Sequence, residues 1–232
     1  MKVINTRPSP DADAFSEAIL AAGAEVILSP VMTIRFHASA APVAPGEALA
    51  FTSANGVRAF ARANPARSAP VFAVGAATAD EARRAGFRDV QAAMGDVESL
   101  AELIAASKIP MRILHLAGTE RAGDLVAALA EKGVAARRLV LYDAVPEADL
   151  SDAARAALLE NAADCAVGLF SPRSAALFFA QAGRAGVEQR LSAATLLAFS
   201  DAVAAAALPD RWGAVKIAAA RTIEAMAARL RG

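Results

Sequence analysis

The sequence predicts an α/β protein made of two similar parallel-sheet lobes, and three observations carry that prediction. Short β-type runs alternate with alanine-rich helical patterns along the chain, the rhythm of parallel sheets covered by crossover helices. The stretches "FTSANGVRAF" at 51–60 and "LFSPRSAALF" at 169–178 superpose, Ser53 on Ser171 and Phe60 on Phe178. Each is an apolar run, a hydroxyl turn and a helix start. The length, 232 residues, is enough for two lobes with a core each.

Taken in order, "KVINT" reads as a strand, and Ser9, Pro10 and Asp11 signal a helix with Phe15, Ile19 and Leu20 on one face. Gly23 stops that helix. "EVILSPVMTIRF" is one long strand or two consecutive ones, and 37–48, rich in Ala, Pro and Gly, is a loop. Then follow "ALAFTS" with a helix from Asn55, "PVFAVG" with a helix from Thr78, "DVQAA", and a helix around "DVESLAELIAA". A second series opens with "RILHLAG", a helix around 121–132 ending at Gly133, and "ARRLVLYDAV". After a helix near 151–160 come "CAVGLFS", "LLAFSD" and "AVKIAAA", each with a helical pattern behind it.

The repetition extends beyond one pair. A shift of 110 positions (Val3 to Ile113) also places Phe15 on Leu125, Ile19 on Leu129 and Gly23 on Gly133, and "AVGAATA" at 73–79 parallels "AFSDAVA" at 198–204. Burial makes any two βα units look alike, which accounts for one match. It accounts less well for several matches in the same order, so an internal duplication is the reading. The repeat alone puts the boundary near Lys108 to Met111. In open parallel sheets ligands sit beyond the carboxyl ends of the strands, where helix N-termini point unpaired N–H groups. Two such lobes facing each other would wall a cleft from both sides.

Composition narrows the function. Hydrophobic residues make up 56% and mean hydropathy is +0.38, much of it alanine, yet no apolar run approaches the roughly 18 residues of a membrane span. Arg7, Pro8 and Asp11 interrupt the start too early for a signal-peptide apolar region. Lys plus Arg equals Asp plus Glu at 24 each, so no global field draws in nucleic acid or an acidic membrane. One cysteine, Cys165, excludes an internal disulfide and suits a reducing cytoplasm. The expectation is a cytoplasmic protein without nucleic-acid or membrane partners.

Signatures of cofactor chemistry are missing: no GxGxxG, GxxxxGK[ST] or GxSxG occurs. With two histidines, His37 and His115, and one cysteine, neither a metal site nor any other cofactor is expected. His115 lies mid-strand and reads as packed, His37 sits at a loop edge with no nearby carboxylate cluster, and Cys165 reads as a small buried hydrophobe. What remains is a set of strand-end loops bearing hydroxyls and isolated basic residues. They are Thr6-Arg7-Pro8, Thr52-Ser53, Ala76 to Thr78, Gly118-Thr119, Ser171-Pro172 and Ser200-Asp201. A Ser or Thr before a helix is an ordinary N-cap, but capping and anion binding use the same exposed N–H groups. Tyr142, the one tyrosine, reads from its strand alone as a half-buried aromatic whose hydroxyl is satisfied by backbone.

"VINTRP", "FTSANGV", "VFAVGAATADEARRAGF", "GDVESLAELI", "LVLYDAV", "LFSPRSA" and "FSDAVAAA" together resemble the uroporphyrinogen-III synthase family, in its order and spacing and over nearly the whole chain. The resemblance implies two α/β lobes joined by a two-stranded β linker, with the active-site cleft between them. It also moves the boundary. One lobe would take 1–30 and 147–232, the linker strands 31–37 and 140–146, and the second lobe 38–139. The family acts on hydroxymethylbilane, a linear tetrapyrrole with eight carboxylates. Ring A loses its hydroxyl as water, ring D attacks through its substituted carbon, and the macrocycle closes with ring D inverted. The same substrate closes unaided to the uninverted isomer, so the enzyme's task is orientation and electrostatics.

The resemblance maps the family's linker tyrosine onto Tyr142, implying a part in loss of the hydroxyl. Arg7, Thr52, Ser53, Ala76, Thr78, Gly118, Thr119, Arg121, Ser171 and Ser200 become substrate-binding candidates, with Arg173 as further local charge. Two positions depart from the family's pattern: Ala54 stands where many relatives have proline, and Val203 where some have threonine. The implied partner is hydroxymethylbilane alone, met by a monomer, with a possible transient contact with hydroxymethylbilane synthase. The alternative from another class is a non-catalytic two-lobed binding or sensor protein for a small anionic ligand.

Overall fold

In the computed structural model, residues 1–38, 41–107, 112–120 and 123–231 are described. The first elements are β1 (Lys2–Asn5), α1 (Asp11–Ala21), β2 (Glu25–Leu28), β3 (Met32–Phe36), β4 (Glu47–Phe51), α2 (Ala54–Ala63) and β5 (Val71–Ala73). Next come α3 (Ala76–Arg84), β6 (Val90–Ala92), α4 (Val97–Ala106), β7 (Arg112–Gly118), α5 (Leu125–Glu131) and β8 (Ala136–Pro146). The chain ends with α6 (Asp152–Asn161), β9 (Cys165–Leu169), α7 (Pro172–Arg184), β10 (Thr195–Ala198), α8 (Asp201–Ala206), β11 (Ala214–Ile217) and α9 (Ile223–Ala228). "EVILSPVMTIRF" is two strands in two different sheets. Pro30 separates them, since it has no N–H to give a ladder and biases the residue before it.

Two compact units result. One is formed by Met1–Thr33 with Val145–Gly232, the other by Ile34–Ala144. The boundary that the repeat alone suggests, 108–111, lies outside the described residues.

The first unit holds a five-stranded parallel sheet in the order β11-β10-β9-β1-β2. Its central strands β1, β9 and β10 are buried on both faces, so their successive residues serve opposite helix layers. Val3, Ala166 and Leu197 meet Phe15 and Ile19 of α1 and Met226 of α9. Ile4, Val167 and Leu196 meet Leu158 of α6, Phe178 of α7 and Val203 of α8.

The second unit holds a six-stranded sheet in the order β3-β8-β7-β4-β5-β6, parallel from β8 to β6. Leu49, Phe51, Leu114 and Leu116 pack against Val57 and Phe60 of α2 and Ala82 of α3. Ala48, Ala50 and Ile113 turn the other way, onto Leu100 of α4 and Leu125 and Leu129 of α5. Phe51 and Phe60 are fully buried, and each such side chain is worth about 1.5–3 kcal/mol of transfer free energy.

The five strands of the first sheet match five of the six in the second, with β3 the extra one. Read β2-β1-β9-β10-β11 beside β8-β7-β4-β5-β6 and the order is the same. The shift of 110 pairs β1 with β7 and β2 with β8, while the Ser53–Ser171 match pairs β4 with β9. Each sheet has one place where successive connections depart in opposite directions: between β1 and β9 in one unit, between β7 and β4 in the other. Loops diverge there and leave a crevice at the carboxyl ends. Among the described residues, no helix is long and apolar enough to cross a membrane.

Candidate functional site

In the second unit the crevice lies beyond the ends of β4 and β7, and Tyr142 on the neighbouring β8 reaches it. Ala117 faces Val140 but the next residue, Gly118, faces Tyr142, so Leu141 is an extra residue in β8. Such a bulge re-aims the side chain that follows it. The tyrosine ring then lies against Gly118, where a Cβ would fall 2.6 Å from its Cε2 and Cζ and 3.0 Å from its hydroxyl. No larger residue fits under that ring. The phenol stands 2.7 Å from Ser53 Oγ. A side-chain hydroxyl is thus among the partners of this phenol.

Ser53 is the N-cap of α2 and accepts the Gly56 N–H at 3.2 Å. The helix can start so close to β7 because residue 56 has no side chain: a Cβ there would sit 2.8 Å from the Leu116 carbonyl oxygen. Thr52, beside it, pairs through Oγ1 with His115 Nε2 at 3.1 Å. His115 is only 5% exposed, a packed histidine as the strand pattern predicted, but one that anchors a strand-end hydroxyl. Thr52, His115, Ala117, Asp124, Leu125 and Arg138 are among the residues that line a small pocket of mixed polarity here.

The tyrosine strand is held from both sides. The Thr119 N–H donates to the Tyr142 carbonyl at 3.0 Å, and the His37 N–H donates to the Leu141 carbonyl at 2.8 Å. Asp143 accepts the Thr119 hydroxyl, and His37 Nε2 lies 2.9 Å from its other oxygen. The Thr119 hydroxyl, and then His37, hold the Asp143 carboxyl below its ordinary pKa. The sequence shows no carboxylate cluster near His37, and the pairing of β3 with β8 brings a single carboxylate, Asp143, from 106 positions away. Arg138 donates to the carbonyls of Gly118 and Thr119 and stiffens the same loop.

Ala76 and Thr78 belong to α3, whose N-cap is Gly75 and has no side-chain cap. Its first N–H groups therefore receive nothing from their own cap residue. Ala76 is exposed and Thr78 is 6% exposed, so this terminus presents backbone where the sequence pointed to a hydroxyl.

In the first unit, Arg7, Ser171 and Ser200 follow the adjacent strands β1, β9 and β10. Arg7 is half-buried, its guanidinium 4.5 Å from the Phe170 ring centre and 3.4 Å from Asp11. Thr6 donates to the Gly168 carbonyl at 2.5 Å and ties the turn after β1 to β9. Ser171 caps α7 reciprocally: its Oγ accepts the Ser174 N–H, and Ser174 Oγ accepts the Ser171 N–H at 2.9 Å. Ser200 caps α8. The structure thus gathers Thr52, Ser53, Gly118, Thr119 and Tyr142 at one edge, sets α3 beside them, and places Arg7, Ser171 and Ser200 at the corresponding edge of the other sheet. Arg121 lies outside the described residues.

Asp143, His37 and Gly56 are the residues that sequence reasoning missed. Asp143 carried a faint signal, as the neighbour of the lone tyrosine. Cys165 is buried, and burial pushes its thiol pKa up. Among the described residues, no three His, Cys, Asp or Glu side chains converge as a metal-ligand group.

A protein-family model described as uroporphyrinogen-III synthase HemD matches residues 13–228. No curated protein matches the chain. Among solved structures, uroporphyrinogen-III synthetase from Helicobacter pylori is similar at 17% identity and TM-score 0.62, over 97% of this chain and 95% of that one. A mutant uroporphyrinogen III synthase from Thermus thermophilus is similar at 18% identity and TM-score 0.58, over 100% of this chain and 96% of that one. At such identities the two structures speak to the fold, and the family match speaks to the lineage.

Proposed function

The chain belongs to the uroporphyrinogen-III synthase family, and from that premise we propose how its residues carry the reaction. The protein is a cyclising lyase that closes hydroxymethylbilane with inversion of ring D and loss of water, in tetrapyrrole biosynthesis. Nothing favours the non-catalytic sensor.

Tyr142 is the acid that assists departure of the ring A hydroxyl. The observation that carries this role is its placement: a phenol at the mouth of a strand-end crevice, seated on Gly118 and 2.7 Å from Ser53. A free phenol, with pKa about 10, is a weak acid at neutral pH, so the role is assistance to a departure that the electron-rich pyrrole already favours. The carboxylates are held by helix N-termini and short hydroxyls, which suits a chain of zero net charge. The uncapped start of α3 at Ala76 to Thr78 and the exposed Thr119 serve in one unit. Arg7 and the capped turns of Ser171 and Ser200 serve in the other.

The protein works as a cytoplasmic monomer in this reading. Its single cysteine is buried, and its described helices include none that spans a membrane. A substrate that closes unaided to the wrong isomer favours a transient contact with hydroxymethylbilane synthase. The deciding experiment supplies fresh hydroxymethylbilane and separates the oxidised uroporphyrin isomers. The type III isomer is expected in excess, and a product containing only type I with folded protein overturns the proposal.

A further inference from the structure

Ser53 stands between two groups. On one side its oxygen accepts the Gly56 N–H of the first turn of α2, at 3.2 Å; on the other it meets the Tyr142 phenol at 2.7 Å. An oxygen that already accepts a hydrogen bond from a polarised helix-start N–H becomes a better donor through its own proton. The phenol cannot retreat from this contact toward β7 without passing through Gly118, and the bulge at Leu141 fixes its strand.

We propose that Ser53 is a positioning residue acting through Tyr142: its hydroxyl donates to the phenolic oxygen and leaves the phenol's own proton for the departing hydroxyl of the substrate. This rests on the reading of Tyr142 as the acid. It also changes what the serine at this turn is for, since its side chain holds the tyrosine rather than a substrate carboxylate.

The step balances. The Tyr142 proton goes to the ring A hydroxyl oxygen as the carbon–oxygen bond breaks, and water leaves. The electron pair of the O–H bond stays on the phenolate oxygen, which the Ser53 O–H and the start of α2 stabilise. The pyrrole nitrogen of ring A feeds electrons to the vacated carbon. When ring D has attacked and the macrocycle closes, one proton is released, and the phenolate takes it back.

The chain has one tyrosine, so ultraviolet titration of the phenolate reads Tyr142 and nothing else. Ser53→Ala is expected to move the titration midpoint upward and to lower kcat about tenfold with KM little changed, the loss of one hydrogen bond to a charged group. Ser53→Thr, which keeps a hydroxyl, is expected to restore both. In a Tyr142→Phe background, Ser53→Ala is expected to cost no further kcat. If Ser53→Ala does not fold, Ser53→Gly keeps an acceptable helix cap without the hydroxyl and answers the same question. An unmoved midpoint in a folded variant, or an equal kcat loss in both backgrounds, overturns the proposal. Undiminished kcat in Tyr142→Phe overturns the acid role itself, and is told apart because the midpoint still responds to Ser53.

Discussion

Three residues at the tyrosine edge are each open to a single substitution. Tyr142→Phe keeps the ring on Gly118 and removes the proton; kcat is expected to fall about 10²-fold with KM and melting temperature nearly unchanged, as steady-state kinetics and thermal denaturation would read. Gly118→Ala works from the other side. Its methyl would lie 2.6 Å from the ring, so the phenol must move, and a comparable kcat loss is expected in a protein with an unchanged circular dichroism spectrum. Asp143 governs pH dependence. Its pKa is lowered by the folded state, so the charge contributes stability above the ordinary aspartate value of about 3.9. That contribution disappears as pH falls through the lower folded value. Asp143→Asn keeps an acceptor for Thr119 but not the charge. The melting-temperature gap between wild type and this variant is expected to be full near neutrality and to close on acidification below about 4. A gap that widens in acid would show that the sign is wrong. Neither Asp143 nor His37 was legible as part of a site, because a pair 106 positions apart is visible only once β3 and β8 are neighbours.

Strands and helices were largely legible, because strands covered on both faces read as short continuous apolar runs while the helices over them carry a one-sided period. Helix starts were the weaker part. Asn55 and Thr78 looked like the first helical residues, yet α2 begins at Ala54 and α3 at Ala76. At α2 the capping Ser53 sets the start, and what lets the helix begin there is close contact with β7, which only Gly56 permits. At α3 the N-cap is Gly75, and the sequence shows no hydroxyl to mark it. The missing cap makes α3 testable. Gly75 has φ −171°, extended backbone that any residue adopts, and a Cβ would meet Gly95 at an ordinary 3.5 Å. Gly75→Ser is therefore expected to stabilise the protein by a few tenths of a kcal/mol, about the difference between serine and glycine caps. If the α3 N–H groups hold a substrate carboxylate, the new hydroxyl competes for them. KM should then rise severalfold while kcat holds. An unchanged KM would remove α3 from the binding surface.

At the scale of the molecule, the repeat in the sequence foretold two sheets of one design but not where the chain changes from one to the other. A shift of 110 pairs β1 with β7, which reads as head-to-tail duplication, whereas the compact units are Met1–Thr33 with Val145–Gly232, and Ile34–Ala144. The physical reason is that β2 and β3 are consecutive yet serve different sheets, and hydrophobic periodicity does not say which sheet a strand will join. Each unit carries its own sheet and two cores, one on each face. Each therefore meets the condition for folding alone. The second is continuous and can be expressed directly as residues 31–147. The first needs only a short turn in place of its partner. The Glu147 N–H already donates to the Val31 carbonyl at 3.0 Å, and Gln181 donates to both the Val31 and Glu147 carbonyls, so the cut ends are adjacent and held. We expect both proteins to unfold in single cooperative transitions with dispersed amide spectra by nuclear magnetic resonance. A head-to-tail cut at 108–111 would instead separate β7 and β8 from β4, β5 and β6, exposing both flanks of a sheet interior. Fragments cut there are expected to be unfolded or aggregated. If they fold and the swapped units do not, the duplicated modules are the folding units and the swap is only a matter of assembly.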